Sequence, residues 1–229
     1  MNPPKSNKEL FQRIEDVIQH KEYVMPEKYG GTGAAGLYLE DLVGLSNTNK
    51  ATPDAGQIEL KTYSKKTALI TLFHKEPQPT DAVRYMVSRW GWKDEKGRMA
   101  FRHTIKGKSE KFKVETDGDQ IVVRKIGGNG VVPHWTHDDL MSVAGGKLHH
   151  LIVVKYKRDK QKVIYERADF YQNLQLSFFI WEVENGTVAI DFDAHEMKPG
   201  GKGLRNHGTK FRIAPENICR LYAKKERIS

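Results

Sequence analysis

The stretch Thr52-Pro53-Asp54-Ala55-Gly56-Gln57-Ile58-Glu59-Leu60-Lys61-Thr62 places two acids and a lysine at a spacing suited to phosphodiester chemistry. Pro53 and Gly56 mark a turn. After it, Ile58, Leu60 and Thr62 alternate with Glu59, Lys61 and Tyr63, the period of a strand with one buried face. Glu59 and Lys61 are therefore expected to point the same way, and Asp54 at the mouth of the strand can bring a second carboxylate beside Glu59. Two hard oxygen ligands with water positions left open are what Mg2+ prefers. Such an ion acidifies a bound water and offsets the charge developing on phosphorus, while Lys61 would orient the attacking water. The same letters also describe an exposed strand face with alternating charges. A loosely spaced D-x(n)-E-x-K match is common by chance, so the rest of the chain has to supply the weight.

Length and charge narrow the setting. The chain has 229 residues, enough for a real core, and is expected to form one compact unit. Its 38 Lys and Arg against 29 Asp and Glu leave a formal charge of +9, which favours a polyanionic partner such as nucleic acid over an acidic small molecule. The lone cysteine, Cys219, excludes an intramolecular disulfide and a thiolate zinc site. No apolar run approaches a membrane span and the N-terminus lacks a signal-peptide core, so the expected setting is the cytoplasm.

The elements that would position the motif follow in order. Ser6 and Glu9 form a capping-box pair ahead of a helix over 7–20, with Leu10, Ile14 and Val17 on one face. The glycine-rich run 30–36 lacks the Gly-Lys-Ser/Thr ending of a phosphate loop and is expected to lead into a helix at Leu37–Val43 that presents Glu40 toward the site. Residues 67–73 are predicted to be a buried central strand ending at His74-Lys75, and Thr80 to cap a helix bearing Val83, Met86, Val87 and Trp90. Trp90 and Trp92 are expected in the packing. Short strands are predicted over 101–105, 112–115 and 121–126, then a helix starting near Thr136 and ending at Gly145-Gly146. His134, His137, His149 and His150 lack the cysteines and helical spacing of a zinc site and read as structural or surface groups. Strands over 151–156 and 163–170 would complete the main sheet, followed by a helix over 173–183 buried through Leu174, Phe178 and Trp181. A further strand is expected over 187–192, then a basic glycine loop over 198–210, a strand over 211–213, and a closing helix over 215–226. A basic loop on a rigid strand suits a DNA groove, because Lys and Arg meet phosphates and Arg or His reads guanine edges.

Several of these stretches match one family. Gly36-Leu37-Tyr38-Leu39-Glu40-Asp41-Leu42, Pro53-Asp54 to Glu59-Leu60-Lys61, Leu69 to Lys75, and His207-Gly208-Thr209-Lys210-Phe211-Arg212-Ile213 resemble the MvaI/BcnI family of type II restriction endonucleases, itself related to the mismatch-repair nickase MutH. The resemblance implies an α/β fold with a mixed sheet, of the restriction-endonuclease-like PD-(D/E)xK type, arranged as a two-lobed clamp around double-stranded DNA. On this reading residues 1–229 are a single nuclease domain, with a catalytic lobe around 40–61 and a recognition lobe that includes 198–213. Also implied are Mg2+ at Asp54 and Glu59, Lys61 beside the water, Glu40 as an accessory acid, and a short CC-x-GG site cut to leave 5′-phosphate ends. His74, with Lys75, would approach the DNA from one lobe, and Arg205, His207, Lys210 and Arg212 from the other. Lys210 departs from the small or histidine side chain expected there, which leaves the central base pair open. The resemblance, together with two reading elements in one chain, implies a monomer, with a methyltransferase of the same site as a possible companion. A MutH-like nickase and a non-catalytic DNA-binding protein are the alternatives.

Overall fold

The computed structural model describes residues 2–45 and 58–229, so Asp54 and the turn that carries it lie outside the described residues. In chain order the elements are α1 (Asn7–Gln19), β1 (Tyr23–Val24), α2 (Ala34–Val43), β2 (Ile58–Tyr63), β3 (Ile70–His74), α3 (Ala82–Trp90), β4 (Trp92–Lys93), β5 (Met99–Ile105), β6 (Phe112–Asp117) and β7 (Gln120–Lys125). They continue with β8 (His134–Thr136), α4 (His137–Leu148), β9 (His150–Asp159), β10 (Lys162–Leu174), α5 (Leu176–Glu184), β11 (Val188–Glu196), β12 (Leu204–Asn206), β13 (Lys210–Ile213), a 3-10 segment (Pro215–Leu221) and β14 (Tyr222–Arg227). The chain divides into two compact units, the first made of Met1–Ile70, Ala144–Gln175 and Pro215–Ser229, the second of Thr71–Val143 and Leu176–Ala214.

The first unit is built on a sheet of order β1-β10-β9-β2, with β14 added to β10. It is mixed: β2 runs parallel to β9, and the other pairs are antiparallel. One face packs under α1 and α2, where Ile58, Leu60, Ile152, Val154 and Phe170 meet Leu10, Ile14, Leu39 and Val43. Ser6 caps α1 as expected, accepting the Glu9 N–H at 3.2 Å. The Glu9 carboxylate does not close the reciprocal half of the box; it takes the Lys5 N–H at 2.7 Å and the Arg13 guanidinium instead. Helix α2 starts three residues earlier than predicted, and Gly36 lies inside it. A Cβ there would stand 3.1 Å from Thr62 Oγ1, so glycine lets the helix lie close on β2.

In the second unit an antiparallel sheet runs β3-β13-β11-β5-β4, with β12 paired to β11, and a separate sheet runs β6-β7-β8. Its core is aromatic: Phe211 stacks on Phe73 at 5.0 Å between centroids and meets Trp135 edge-on at 5.3 Å. The Trp135 indole N–H donates to the Lys75 carbonyl at 3.0 Å, which satisfies the one polar atom of a fully buried ring.

Other expectations about elements and packing fail. The apolar run before His74 lies at the end of the second unit's sheet and not in the middle of the main one, and 67–69 precede the strand. Helix α3 begins after Asp81, without a side-chain cap from Thr80. Trp92 stands on a two-residue edge strand and is 47% exposed. Because β10 continues to Leu174, α5 starts later than predicted and turns its stripe: Phe179 and Val183 are buried, whereas Phe178 and Trp181 are about half exposed. Residues 222–227 are a strand, since pairing with β10 outweighs the helix propensity of a Lys- and Glu-rich segment. Among the described residues no helix is long and apolar enough to cross a membrane.

Candidate active site

Glu59 sits in β2 opposite Leu151 of β9 and is 1% exposed. The strand pattern predicted an acid on the open face. Instead that face is covered at this point, and the carboxylate is buried. A buried charge survives only when it is paired. Lys61, two residues on and on the same face, supplies an ammonium to Glu59 Oε1. A second ammonium, from Lys147, stands 3.5 Å from the same oxygen. Burial, and after it the negative charge of Glu59, push the Tyr222 hydroxyl well above its ordinary range. Tyr222 therefore stays a donor, and its O–H bonds the Leu148 carbonyl at 2.8 Å.

Lys147 was not anticipated from the sequence. Reading Gly145-Gly146 as a helix end stopped the predicted helix short, whereas α4 runs through both glycines and carries Lys147 in its last turn. A signal was present: Leu140, Ala144 and Leu148, all fully buried, recur every four residues across the glycines. Glu40 lies on α2, half-buried, one turn beyond Gly36 and on the same side of the helix.

Glu59 supplies a buried hard-oxygen donor of the kind a divalent cation such as Mg2+ takes. Two ammonium groups stand on one of its oxygens and would have to be offset when a cation binds. Among the described residues no three His, Cys, Asp or Glu side chains gather into a metal-ligand group. His149 and His150 lie ring to ring at 4.4 Å, with His150 held below its ordinary pKa by burial and then by His149. His134 Nδ1 is 2.9 Å from the Val132 carbonyl.

In the second unit the remaining predicted residues share a neighbourhood. His74 ends β3, exposed, and the His74 ring lies against Gly208: a Cβ at Gly208 would come within 2.8 Å of His74 Cδ2. Gly208 also has a φ of +84, which disfavours any side chain there. The expectation that His74 and the 205–212 segment belong to separate lobes is thus corrected, because both lie in one unit and touch. Glu76 pins the intervening loop, accepting from the Thr209 N–H at 2.8 Å and from Asn206 Nδ2 at 3.0 Å. Lys75 is engaged with Asp139 at 2.9 Å.

Cross-strand register lines up the rest. Thr104 and Lys210 flank Asp191, Arg102 faces Asp193, and Arg205 faces His195, so these side chains share one face of the sheet. Asp191 accepts from Thr104 Oγ1 at 2.6 Å and from Arg212 Nη1 at 3.1 Å. Arg102 Nε is 3.4 Å from Asp193 Oδ1. A cleft of about 360 Å³ opens here, lined by Arg102, His103, Thr104, Asp191, Phe192, Asp193 and His207. Arg102, Thr104, Asp191 and Asp193 were missed, although Asp191, Asp193 and His195, alternating with Ile190, Phe192 and Ala194, mark such a face on β11.

Comparison with known proteins bears on the family and the fold. A search of curated proteins by sequence finds no match. The chain is similar to the solved structure titled "Restriction endonuclease MvaI-cognate DNA substrate complex", at 25% identity and a TM-score of 0.79, over 98% of this chain and 99% of that one. It is also similar in fold to "Restriction endonuclease MvaI in the absence of DNA", at 23% identity and a TM-score of 0.59 over 100% of both chains. The profile of the MvaI/BcnI restriction endonuclease family matches residues 12–222. Spanning nearly the whole chain, that match establishes that the protein belongs to the MvaI/BcnI restriction endonuclease family and is a type II site-specific deoxyribonuclease.

Proposed function

We propose that the protein cuts duplex DNA in a Mg2+-dependent reaction, with Asp54 and Glu59 holding the metal, Lys61 serving the attacking water and Glu40 as an accessory acid. Restriction endonucleases of this family generally use divalent metal ions. The observation that carries the reading is the buried Glu59 carboxylate with the Lys61 ammonium on it, both from one strand of a chain in this family. When bound, the metal would acidify a water and offset charge at phosphorus. Glu59 fixes one position for the ion, and Lys61, at the rim of the same oxygen, can hold and orient a water that approaches the scissile phosphate.

Site reading is assigned to the polar face of the second unit. Asp191 and Arg212 side by side offer an acceptor and a fork of donors, the pattern that answers cytosine N4 and guanine O6/N7 in one C·G pair. That supports a short CC-x-GG site, with His74, Arg205, His207 and Lys210 as neighbouring contacts and Lys75 as a support. We further infer a two-lobed clamp with the first unit catalytic, 5′-phosphate ends, action in the cytoplasm, a possible companion methyltransferase, and a monomer that nicks one strand before the other. Plasmid digestion with Mg2+ or with EDTA tests the core claim, and sequencing the ends gives the site. Discrete double-strand fragments that need Mg2+ are expected, with open circles appearing before linear product. Nicks alone would favour the MutH-like alternative, and no cutting would favour a DNA-binding protein.

A further inference from the structure

Lys147 is the charged group at the site for which the D-x(n)-E-x-K motif has no use. Its ammonium lies 3.5 Å from Glu59 Oε1, and its side chain keeps 20% exposure, so it borders solvent on one side and a buried carboxylate on the other. Its backbone is firmly placed. Lys147 belongs to the last turn of α4, where the carbonyl dipoles favour a cation. The next residue, Leu148, is fully buried and its carbonyl accepts the Tyr222 hydroxyl at 2.8 Å. The ammonium sits at the end of a flexible four-carbon stem, while the helix end beneath it is fixed. It can therefore turn from one anion to another without moving the fold.

We propose that Lys147 is a positioning residue that makes metal binding depend on DNA: it holds Glu59 while no DNA is present, opposes a divalent cation at that carboxylate, and turns to a backbone phosphate once the cation is there. The inference rests on the reading of Glu59 and Asp54 as the metal ligands. Glu59 already faces two ammonium groups, and a divalent cation at that carboxylate would add two further positive charges in a poorly solvated place. Such repulsion is weakly screened. Phosphates of a bound duplex bring the missing negative charge and give Lys147 a new partner. Coupling of this kind is reciprocal, since the factor by which DNA tightens the cation equals the factor by which the cation tightens DNA. A lysine present only to neutralise Glu59 would also release metal affinity when lost, but, with no phosphate to meet, its loss would leave cleavage at saturating Mg2+ unchanged, and that result overturns the proposal.

The test uses Mn2+ binding to the DNA-free protein, followed by electron paramagnetic resonance, in wild type, Lys147→Met and Lys147→Arg. Lys147→Met is expected to bind Mn2+ about tenfold more tightly than wild type, the size of an ordinary coupling between sites. Its single-turnover cleavage of plasmid at saturating Mg2+ should fall by about a hundredfold, as when one positioned charge is lost. Lys147→Arg keeps the charge and should stay near wild type in Mn2+ affinity. If Lys147→Met melts like wild type and binds Mn2+ equally or more weakly, the proposal is overturned. A loss of folding in Lys147→Met together with a tenfold gain in Lys147→Arg would overturn it too, since the charge is then not what opposes the ion. A wild-type protein that neither binds Mn2+ nor cuts DNA would remove the reading beneath it, a result separable from the others.

Discussion

The two large sheets handle charge in opposite ways. In the first unit the acid that matters is buried, at 1% exposure, and it is held by lysines from its own strand and from the end of α4. In the second unit acids and bases alternate on a partly open face, where Asp191 takes Thr104 and Arg212 while Arg102 leans on Asp193. The difference suits the roles proposed for the two surfaces. Chemistry gains from a fixed charge in a low-dielectric place, where its field is strong and costs no reorganisation at the moment of reaction. Reading bases needs donors and acceptors that are held in geometry yet free to meet a partner, and an ion pair on an accessible face provides both.

The contrast is sharpest where the buried charge is removed. Glu59→Gln or Lys61→Ala is expected to lower single-turnover cleavage by about 10³-fold or more, while affinity for duplex measured in EDTA changes only a few-fold. A Lys61→Ala protein that cuts at a near-normal rate would break the comparison at its first term. On the open face the expectation is different in kind. Arg212→Ala should cost about 1–3 kcal/mol of discrimination between the preferred site and a single-base variant, with the cutting rate at saturating DNA much less affected. Equal losses on specific and random duplexes would make Arg212 a phosphate contact or a structural residue. Smaller again, Ser6→Ala removes the cap that accepts the Glu9 N–H and should lower stability by about 1 kcal/mol, read from urea melts, with cutting at low temperature unchanged.

What the sequence made legible was what local pattern determines. Helix α1 was visible through its cap and its apolar face, and the alternation around Glu59 placed β2 correctly. Burial of Glu59 was not visible, because what stands around it comes from segments distant in sequence: Leu151 beside it in β9, Lys147 at the end of α4, and Tyr222. Lys147 was hidden by two glycines that usually end helices, although the four-residue apolar repeat argued for continuation. Residues 222–227 read as helix by propensity, yet an available strand partner decided otherwise. His74 and Gly208 are 134 positions apart, and only the pairing of β3 beside β13 brings them together.

The smallest effect concerns the turn that joins β4 to β5, at one end of the open face. Asp94 accepts the Arg98 Nε and Nη2 groups at 3.0 and 2.6 Å, and also the backbone N–H groups of Lys96 and Arg98, both at 3.0 Å. The Arg98 side-chain bonds are the main reason its carboxyl is held down to about 2, against an ordinary value of 3.8. With the folded value depressed, the unfolded chain binds the proton more readily. The stabilisation is therefore fully present above the ordinary value and disappears as pH falls through about 2. Asp94→Asn keeps the size of the side chain and removes this linkage. Urea melts of wild type and variant should be separated by a constant gap near neutral pH, and that gap should close between the ordinary value of 3.8 and about 2. A gap that persists at the acid end would mean that turn geometry, and not the charge on Asp94, holds the start of β5 in place beneath Arg102.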